Sequence, residues 1–436
     1  MKLVISIFGL IIFASCTLPK HLQTKKFLNN IVNDSALGNG HLGVCVYDVA
    51  ANKYIALHNA NRYFVPASNV KLFTCYTALK TFGDSLPAAY IACNGEVFPL
   101  AEPTLLSRDF KTHPLLNYFK QQDTLVLNFS KALQFNKYGK GWPWDDTEAQ
   151  YMVERNLLPM YNNYGNFNSM GMLLNCYPTY LTNNIVNTAA NAANKGIADI
   201  VYNNLTEQNN YQIKYSTKVI NKKMEIPFTA NNQNLVLNML KDTLKNNQIF
   251  ISTTNIKPKI IKTIYSQPTD SVLKIMMHRS DNFYAEQLLL LCSAVSLDTL
   301  INERAMISNI KKTQLNAFTD DPIWVDGSGL SRYNMFTPQN FVALLLKMNN
   351  EIGMPRLKTI LPTGGTGTLS SLYLKIPQKI FAKTGTLTGH CALSGYLYTK
   401  LGKQLIFSLL ADNYTASAGQ IRKQFEKFIM HLYSSY

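Results

Sequence analysis

Three short motifs of this 436-residue chain contain the residue types that covalent catalysis by a serine requires. In chain order they read Ser68-Asn69-Val70-Lys71, Ser280-Asp281-Asn282 and Lys383-Thr384-Gly385. A serine hydroxyl becomes nucleophilic only when a neighbouring base takes its proton, and a neutral lysine can be that base. The three motifs in this order therefore predict an acyl transferase that forms an ester on Ser68.

Proton transfer and charge stabilisation can be assigned to particular residues. Lys71 would take the proton of Ser68, because burial in an apolar helix and the nearby charge of Lys383 both favour the neutral amine. Ser280 would relay a proton between Lys71 and the leaving amine. The backbone N–H groups of Ser68 and Thr386 would form the oxyanion hole, the first of them aided by a helix N-terminus.

The remaining motif residues have the chemistry of substrate binding. Asn282 would hydrogen-bond an amide of the substrate. Lys383 and Thr384 would hold a terminal carboxylate. Gly385 would leave the edge of its strand bare, so that a substrate backbone can approach closely.

Local sequence separates the nucleophile from two decoys with the same spacing. Ser-x-x-Lys also occurs at Ser271 and Ser308, which we expect to be ordinary residues of solvated helices. Ser68 instead follows Pro66 and opens a strongly apolar run, which predicts the start of a buried helix. On such a helix Ser68 and Lys71 are three residues apart and share one face.

Four further segments carry a resemblance to a known family. They are LAEPTL (Leu100 to Leu105), GWPWDD (Gly141 to Asp146), DGSGLSR (Asp326 to Arg332) and LPTGGTGTL (Leu361 to Leu369). With the three motifs, they make the chain similar to penicillin-binding proteins of the D-alanyl-D-alanine carboxypeptidase/endopeptidase type, the peptidase S13 family (penicillin-binding protein 4-like). One departure concerns an acidic residue that relatives carry after the Trp-rich segment, because that position falls on Tyr161 or Asn162 here.

The resemblance implies a serine-type D-Ala-D-Ala carboxypeptidase that acts on peptidoglycan stem peptides, cleaves their cross-links as an endopeptidase, or does both. It also implies that β-lactam antibiotics bind as covalent inhibitors. Two alternatives stay open. A β-lactamase would need a base for the hydrolytic water, commonly in a Glu-x-x-x-Asn segment, which this sequence lacks. A non-catalytic cell-wall-binding lipoprotein would have no need of the Ser-Lys pair.

The expected fold is of the α/β (α+β) class. The resemblance implies a serine β-lactamase/penicillin-binding-protein transpeptidase-like fold, with an antiparallel sheet and flanking helices. Alternating runs predict two strands within 42–59 and three consecutive strands within 378–412, and an amphipathic helix follows them. We predict a DD-peptidase domain made of residues 20–83 and 269–436, interrupted by one or more inserted domains at 84–268.

The N-terminus predicts export. Residues 1–16, MKLVISIFGLIIFASC, contain one lysine and an apolar stretch that is too short to span a membrane, as in a signal peptide. The stretch ends in Phe-Ala-Ser-Cys, which resembles a bacterial lipobox. We therefore expect lipidation of Cys16, with plain signal-peptidase cleavage as the alternative. A lipid there would anchor the protein to a membrane of a Gram-negative bacterium, facing the periplasm.

Composition argues against several other classes of function. The net charge of +16 comes mostly from dispersed lysines, with no arginine-rich stripe and no nucleic-acid motif, so we expect no nucleic-acid partner. Compositional drift or attraction to anionic surfaces would each account for the charge. The seven cysteines include no Cys-x-x-Cys pair, and no metal or organic cofactor is implied. Whether Cys93 and Cys176 form a disulfide is left open.

Overall fold

The computed structural model describes residues 20–130, 135–186, 190–203, 210–255, 259–297 and 301–436. The predicted signal peptide and Cys16 lie outside the described residues. No helix within these ranges is both long and apolar enough to cross a membrane. Cys93 is exposed and Cys176 is buried, and both are free thiols.

The helices of the described residues are distributed over the whole chain. They are α1 (Lys20–Val32), α2 (Lys71–Thr81), α3 (Pro114–Lys120), α4 (Gln233–Leu244), α5 (Thr269–Arg279), α6 (Asn282–Ser296), α7 (Glu303–Gln314), α8 (Pro338–Glu351), α9 (Met354–Ile360) and α10 (Ala418–Ser435). The last of these is the amphipathic helix that the sequence predicts at the end of the chain.

The strands fall into an N-terminal pair, a long middle series and a C-terminal trio. They are β1 (His41–Asp48), β2 (Lys53–His58), β3 (Ser85–Ala92), β4 (Val97–Pro99), β5 (Leu125–Asn128), β6 (Tyr164–Met170), β7 (Leu173–Tyr177), β8 (Ile185–Val186), β9 (Gly196–Asn203), β10 (Asn210–Ser216), β11 (Asn221–Pro227), β12 (Ile249–Ser252), β13 (Ile260–Pro268), β14 (Ile380–Leu387), β15 (His390–Tyr398) and β16 (Gln404–Asp412).

One antiparallel sheet joins the two ends of the chain in the order β14-β15-β16-β1-β2. Its central strands are buried on both faces, and their alternate side chains enter two different cores. Along β1, Val44 and Val46 pack toward α1 and α10, whereas Cys45 and Tyr47 belong to the larger core that contains α2 and α8. Helices therefore cover both faces of the sheet, and the predicted α+β class is confirmed.

Helix α2 is the buried centre of the larger core. Every residue from Lys71 to Leu79 is buried, and the helix packs against α5, α6 and α8. Such burial on all sides is typical of a helix enclosed by other elements, and it follows from the apolar sequence of the segment. The turn that precedes α2 contacts β14 and β15 of the sheet.

The middle of the chain forms three further sheets. A five-stranded sheet has the order β12-β5-β4-β3-β13, and two three-stranded sheets have the orders β11-β6-β7 and β8-β10-β9. Strand β3 pairs with β13, so the chain enters and leaves this region through adjacent antiparallel strands. This arrangement fits an insertion between 84 and 268, although the domain boundaries themselves stay a prediction.

Candidate active site

A short 3-10 turn, Ala67–Val70, carries the predicted nucleophile into α2. Ser68 is only half-buried, so its hydroxyl can meet a substrate. The turn is anchored to the sheet by Asn69, whose side-chain amide donates to Ser394 Oγ at 2.8 Å. Ala67 has a positive φ of 46°, a conformation that is costly for a residue with a side chain. The surrounding packing therefore fixes this turn against its local preference.

The amine of Lys71 lies beside the Ser68 hydroxyl, with 3.0 Å between Nζ and Oγ. It also donates to Asn282 Oδ1 at 2.6 Å and to the Ser328 carbonyl oxygen at 2.7 Å. Burial lowers the pKa of Lys71 to about 8. Nearby carboxylates, of which Asp326 has the largest effect, act to raise it. A neutral amine has two N–H bonds, which these two carbonyl oxygens use, so its lone pair is left for the Ser68 proton.

The Ser280-Asp281-Asn282 motif is the junction between α5 and α6. Ser280 ends α5 in the left-handed conformation, with φ of 59°. Asp281 caps α6 by accepting from the Tyr284 backbone N–H at 3.0 Å. Asn282 is the first residue of α6, and its Nδ2 donates to the Tyr151 carbonyl oxygen at 2.9 Å. Helix-end geometry thus places Asn282 against the Lys71 amine and Ser280 against the Lys383 amine.

Lys383 is fully buried on β14, and it donates to Ser280 Oγ at 2.9 Å and to the Thr384 carbonyl oxygen at 2.6 Å. Burial, followed by the charge of Lys71, lowers the pKa of Lys383 well below its ordinary value. The hydroxyl of Ser280 is therefore engaged by Lys383 here, and the proton relay from Lys71 through Ser280 stays a prediction.

The structure shows a packing role for the glycine at position 385 that the sequence did not predict. A Cβ at this position would lie 2.6 Å from the Pro66 carbonyl oxygen and 3.1 Å from Ser68 N. The missing side chain therefore lets β14 approach the turn Ala67–Val70, the nucleophile turn, whereas the sequence predicted room for a substrate backbone. Thr386 follows on the same strand, and its hydroxyl accepts from Arg422 at 2.6 Å.

A cavity of about 580 Å³ opens above these residues. Four of the predicted site residues line it, namely Ser68, Ser280, Asn282 and Thr386. The buried amines of Lys71 and Lys383 lie directly beneath, in hydrogen-bond contact with lining residues. Thr384 and Gly385 are not part of the lining. Across the described ranges, no cluster of three or more His, Cys, Asp or Glu side chains could hold a metal ion.

Five further residues with polar side chains line the same cavity and were missed from the sequence. They are Asp146, Tyr151, Arg332, Thr388 and Tyr414. Asp146 and Arg332 belong to the GWPWDD and DGSGLSR segments, whose similarity to relatives was the available signal, whereas Tyr151 carried none. Tyr161 and Asn162, where an acidic residue was sought, are buried away from the cavity lining. Asp146 is the carboxylate that this cavity contains.

The DGSGLSR segment forms a loop around the buried carboxylate of Asp326. That carboxylate accepts from three neighbours of the loop, Gly329 N at 2.8 Å, Ser331 N at 2.7 Å and Asn334 Nδ2 at 2.7 Å, and from the Trp142 indole at 2.9 Å. Gly329 has a φ of +83°, and a Cβ there would overlap the Ala67 carbonyl oxygen. The loop is thereby packed directly under the nucleophile turn.

Comparison with known proteins identifies relatives over most of the chain. The model of the D-Ala-D-Ala carboxypeptidase 3 (S13) family matches residues 24–89 and 129–432. D-alanyl-D-alanine carboxypeptidase DacB of Haemophilus influenzae is 22% identical over 423 residues, which cover 86% of this chain and 86% of that protein.

Solved structures share the fold. The crystal structure of penicillin binding protein 4 (dacB) from Haemophilus influenzae superposes with a TM-score of 0.71 at 19% identity, covering 94% of this chain and 98% of that one. A predatory peptidoglycan endopeptidase from Bdellovibrio bacteriovorus superposes with a TM-score of 0.52 at 15% identity, covering 91% of this chain and 93% of that one. The transpeptidase-like fold expected from the sequence is confirmed.

Proposed function

Since the chain belongs to the D-Ala-D-Ala carboxypeptidase 3 (S13) family, we propose that it cleaves the D-Ala-D-Ala bond of peptidoglycan stem peptides with Ser68 as nucleophile. The observation that supports this most is the 3.0 Å separation between Lys71 Nζ and Ser68 Oγ, with the other hydrogen bonds of the amine made to Asn282 and Ser328. This arrangement suits a base that takes one proton from one direction.

In the acylation step, the Ser68 oxygen attacks the carbonyl carbon of the penultimate D-Ala while its proton passes to Lys71. The carbonyl oxygen becomes an oxyanion, which accepts hydrogen bonds from the backbone N–H groups of Ser68 and Thr386. When the C–N bond breaks, the leaving amine of the terminal D-Ala receives a proton through Ser280. Water then hydrolyses the ester and releases the shortened peptide, so that Ser68 and Lys71 return to their starting forms.

Substrate binding is assigned from the residue types of the motifs, because Lys383 lies buried beneath the cavity and Thr384 is not part of its lining. Lys383 and Thr384 hold the terminal carboxylate of the peptide, and Asn282 donates to an amide of the stem. In a cross-linked substrate the leaving amine belongs to a second stem peptide, and the same chemistry gives an endopeptidase. Digestion of purified muropeptides separates the two activities, because the first releases free D-Ala and the second converts dimers to monomers.

The nucleophile is tested by the intact mass of the protein after incubation with a penicillin. The wild-type protein gains one drug molecule, and Ser68→Ala gains none. Ser271→Ala is a matched control, because Ser271 has the same spacing to a lysine but is exposed on α5. An adduct on Ser68→Ala would refute the assignment, and no wild-type adduct with rapid consumption of the drug would indicate a β-lactamase.

We extend the proposal to the location of the protein. The Phe-Ala-Ser-Cys ending of residues 13–16 supports a lipid on Cys16 that anchors the enzyme in the periplasm. Expression of the full-length precursor should place it in the membrane fraction, and Cys16→Ser should move it to the soluble periplasmic fraction. A wild-type protein found only in the soluble fraction would indicate plain signal-peptide cleavage.

A further inference from the structure

We propose that Glu286 is a positioning residue for acylation: it fixes the backbone of Ser328, whose carbonyl orients the Lys71 amine, and its carboxylate stabilises the ammonium that Lys71 becomes. The inference rests on the proposed function, since it concerns the same base. It assigns a role to a buried acidic residue outside the three catalytic motifs.

Glu286 reaches the base through one intervening residue. Its Oε1 accepts from the Ser328 backbone N–H at 2.7 Å, and the Ser328 carbonyl oxygen accepts from Lys71 Nζ at 2.7 Å. The next backbone N–H, that of Gly329, donates to Asp326 Oδ1 at 2.8 Å. Both peptide planes that flank Ser328 are therefore fixed by buried carboxylates, and the carbonyl that orients Lys71 cannot rotate freely.

The same helix also supplies the second acceptor of the amine. Asn282 and Glu286 are four residues apart on α6, so they lie on one face about one turn from each other. Asn282 accepts directly from Lys71 at 2.6 Å, and Glu286 acts through Ser328. One rigid element thus sets both directions in which the Lys71 N–H bonds point, and hence the direction of the lone pair toward Ser68.

Arg155 of the middle region holds the other oxygen of Glu286. Its Nη1 lies 3.3 Å from Glu286 Oε2, and its Nη2 lies 3.4 Å from Glu303 Oε1 on α7. The guanidinium also donates to the carbonyl oxygens of Asn136 at 3.1 Å and Tyr138 at 3.0 Å. A fully buried arginine with this many partners keeps Glu286 in one orientation.

The charge of Glu286 acts within a group of ionisable neighbours. These are Lys71 of α2, Asp326 of the loop, Arg155, Glu303 of α7, Asp281 at the start of α6 and Lys383 of β14. Burial and Asp326 raise the pKa of Glu286 to about 7, whereas Arg155 and the Ser328 N–H act to lower it. In turn, the Glu286 carboxylate raises the pKa of Lys71 and stabilises its protonated form.

Two substitutions separate the two roles. Glu286→Gln keeps an oxygen that can accept from Ser328 but removes the charge, so the pKa of Lys71 falls. The rise of the acylation rate with pH should then move to lower pH by about half a unit or more. Glu286→Asp keeps the charge but is one methylene too short to reach Ser328. It should leave the pH midpoint in place and lower the maximal rate by about tenfold or more.

The experiment measures acylation of the whole protein by a fluorescent penicillin between pH 5 and pH 9. Glu303→Gln is the matched control, because Glu303 is buried against the same arginine without contacting Ser328, and its pH midpoint should equal that of the wild type. An unmoved midpoint in Glu286→Gln, or an equal movement in Glu303→Gln, would overturn the inference. A wild type that is not acylated at all would instead refute the proposed function.

Discussion

The residues around Ser68 are held far more firmly than the residues that the middle region contributes to the same cavity. Lys71 and Lys383 are completely buried, and each amine donates hydrogen bonds to at least two neighbouring oxygens. Tyr151, by contrast, is 46% exposed, and Asp146 is only half-buried. A base with a shifted pKa needs a dry and fixed environment, whereas a group that meets a variable part of the substrate can stay in water.

Arg155 of the middle region is deeply buried, and it connects that region to the residues around Ser68. It comes from the middle of the chain, yet it is buried almost as deeply as Lys71 and Lys383, and it contacts Glu286. Its side chain also lies over the Trp142 ring, 5.6 Å from the centroid, and Trp142 donates to Asp326. The middle region therefore contributes at two depths, with Asp146 and Tyr151 at the cavity surface and Arg155 in the buried contacts around Glu286.

Removal of the proposed base should have the largest effect on the rate of acylation. Lys71→Ala should slow acylation by a penicillin by about 10³-fold or more, because no other group can accept the Ser68 proton. Lys274→Ala, which alters the exposed decoy lysine of α5, should leave the rate unchanged. Rates from stopped-flow or quenched mass measurements distinguish the two, and a fast Lys71→Ala enzyme would show that another residue is the base.

Substitution of Gly329 should break the packing beneath the nucleophile. Gly329→Ala combines a left-handed φ with overlap against the Ala67 carbonyl, so we expect a loss of about 4 kcal/mol in unfolding free energy. Gly402→Ala has the same kind of φ, +80°, with no atom within 4 Å, and should cost only about 1 kcal/mol. Denaturant unfolding measures both, and equal losses would mean that overlap with the turn contributes nothing.

The pH dependence of acylation should report the buried lysine. Only neutral Lys71 can take the proton, and its pKa is about 8, so the rate should rise with pH and level off above that value. Between pH 6 and pH 8 the neutral fraction, and with it the rate, should increase by about 50-fold. A rate that is flat across this range would contradict a titrating lysine base.

The smallest expected effect concerns Asp146, whose substitution should change substrate binding more than the rate of acylation. We expect Asp146, the carboxylate of the cavity lining, to pair with an ammonium group on the third residue of a stem peptide. Asp146→Asn should therefore raise KM for such a peptide about fivefold, because this charged hydrogen bond would be weakened. Acylation by a penicillin, which lacks that group, should change less than about twofold. Asp145→Asn is the control, since the side chain of Asp145 is next to Asp146 in the sequence but is exposed and outside the cavity lining. Equal effects of both variants would indicate a general loss of charge.

Much of the fold and the centre of the site could be predicted from the sequence. The spacing of three residues correctly brought Ser68 and Lys71 together, although Ser68 lies in the 3-10 turn that precedes α2. Alternating apolar residues predicted β1 and β16. The family that the sequence resembles is confirmed by the match over residues 24–89 and 129–432. These features depend on local periodicity or on residues within one element, which a sequence displays directly.

The parts that could not be predicted depend on contacts between distant segments. Glu286 looks like one polar residue in an apolar helix, and only its position against Ser328 gives it a role. The packing role of Gly385 was missed, because nothing local reveals that the Pro66 carbonyl packs against it. The expected room for substrate at this glycine stays a prediction. Asp146 was missed as a lining residue, and the acidic position of relatives was placed at Tyr161 or Asn162 instead, since distance along the chain does not tell which side chains meet at a cavity.

The pairing of β1 with β16 has a consequence for how the enzyme is made. His41 pairs with Asp412, so the sheet beside the nucleophile closes only when the last strands are present. During synthesis Ser68 and Lys71 emerge early, but β14, which carries Lys383 and the proposed oxyanion donor Thr386, emerges near the end. Closing so long a loop is a late and slow event in folding. Activity is therefore expected only after β14 to β16 have emerged and joined β1 in one sheet.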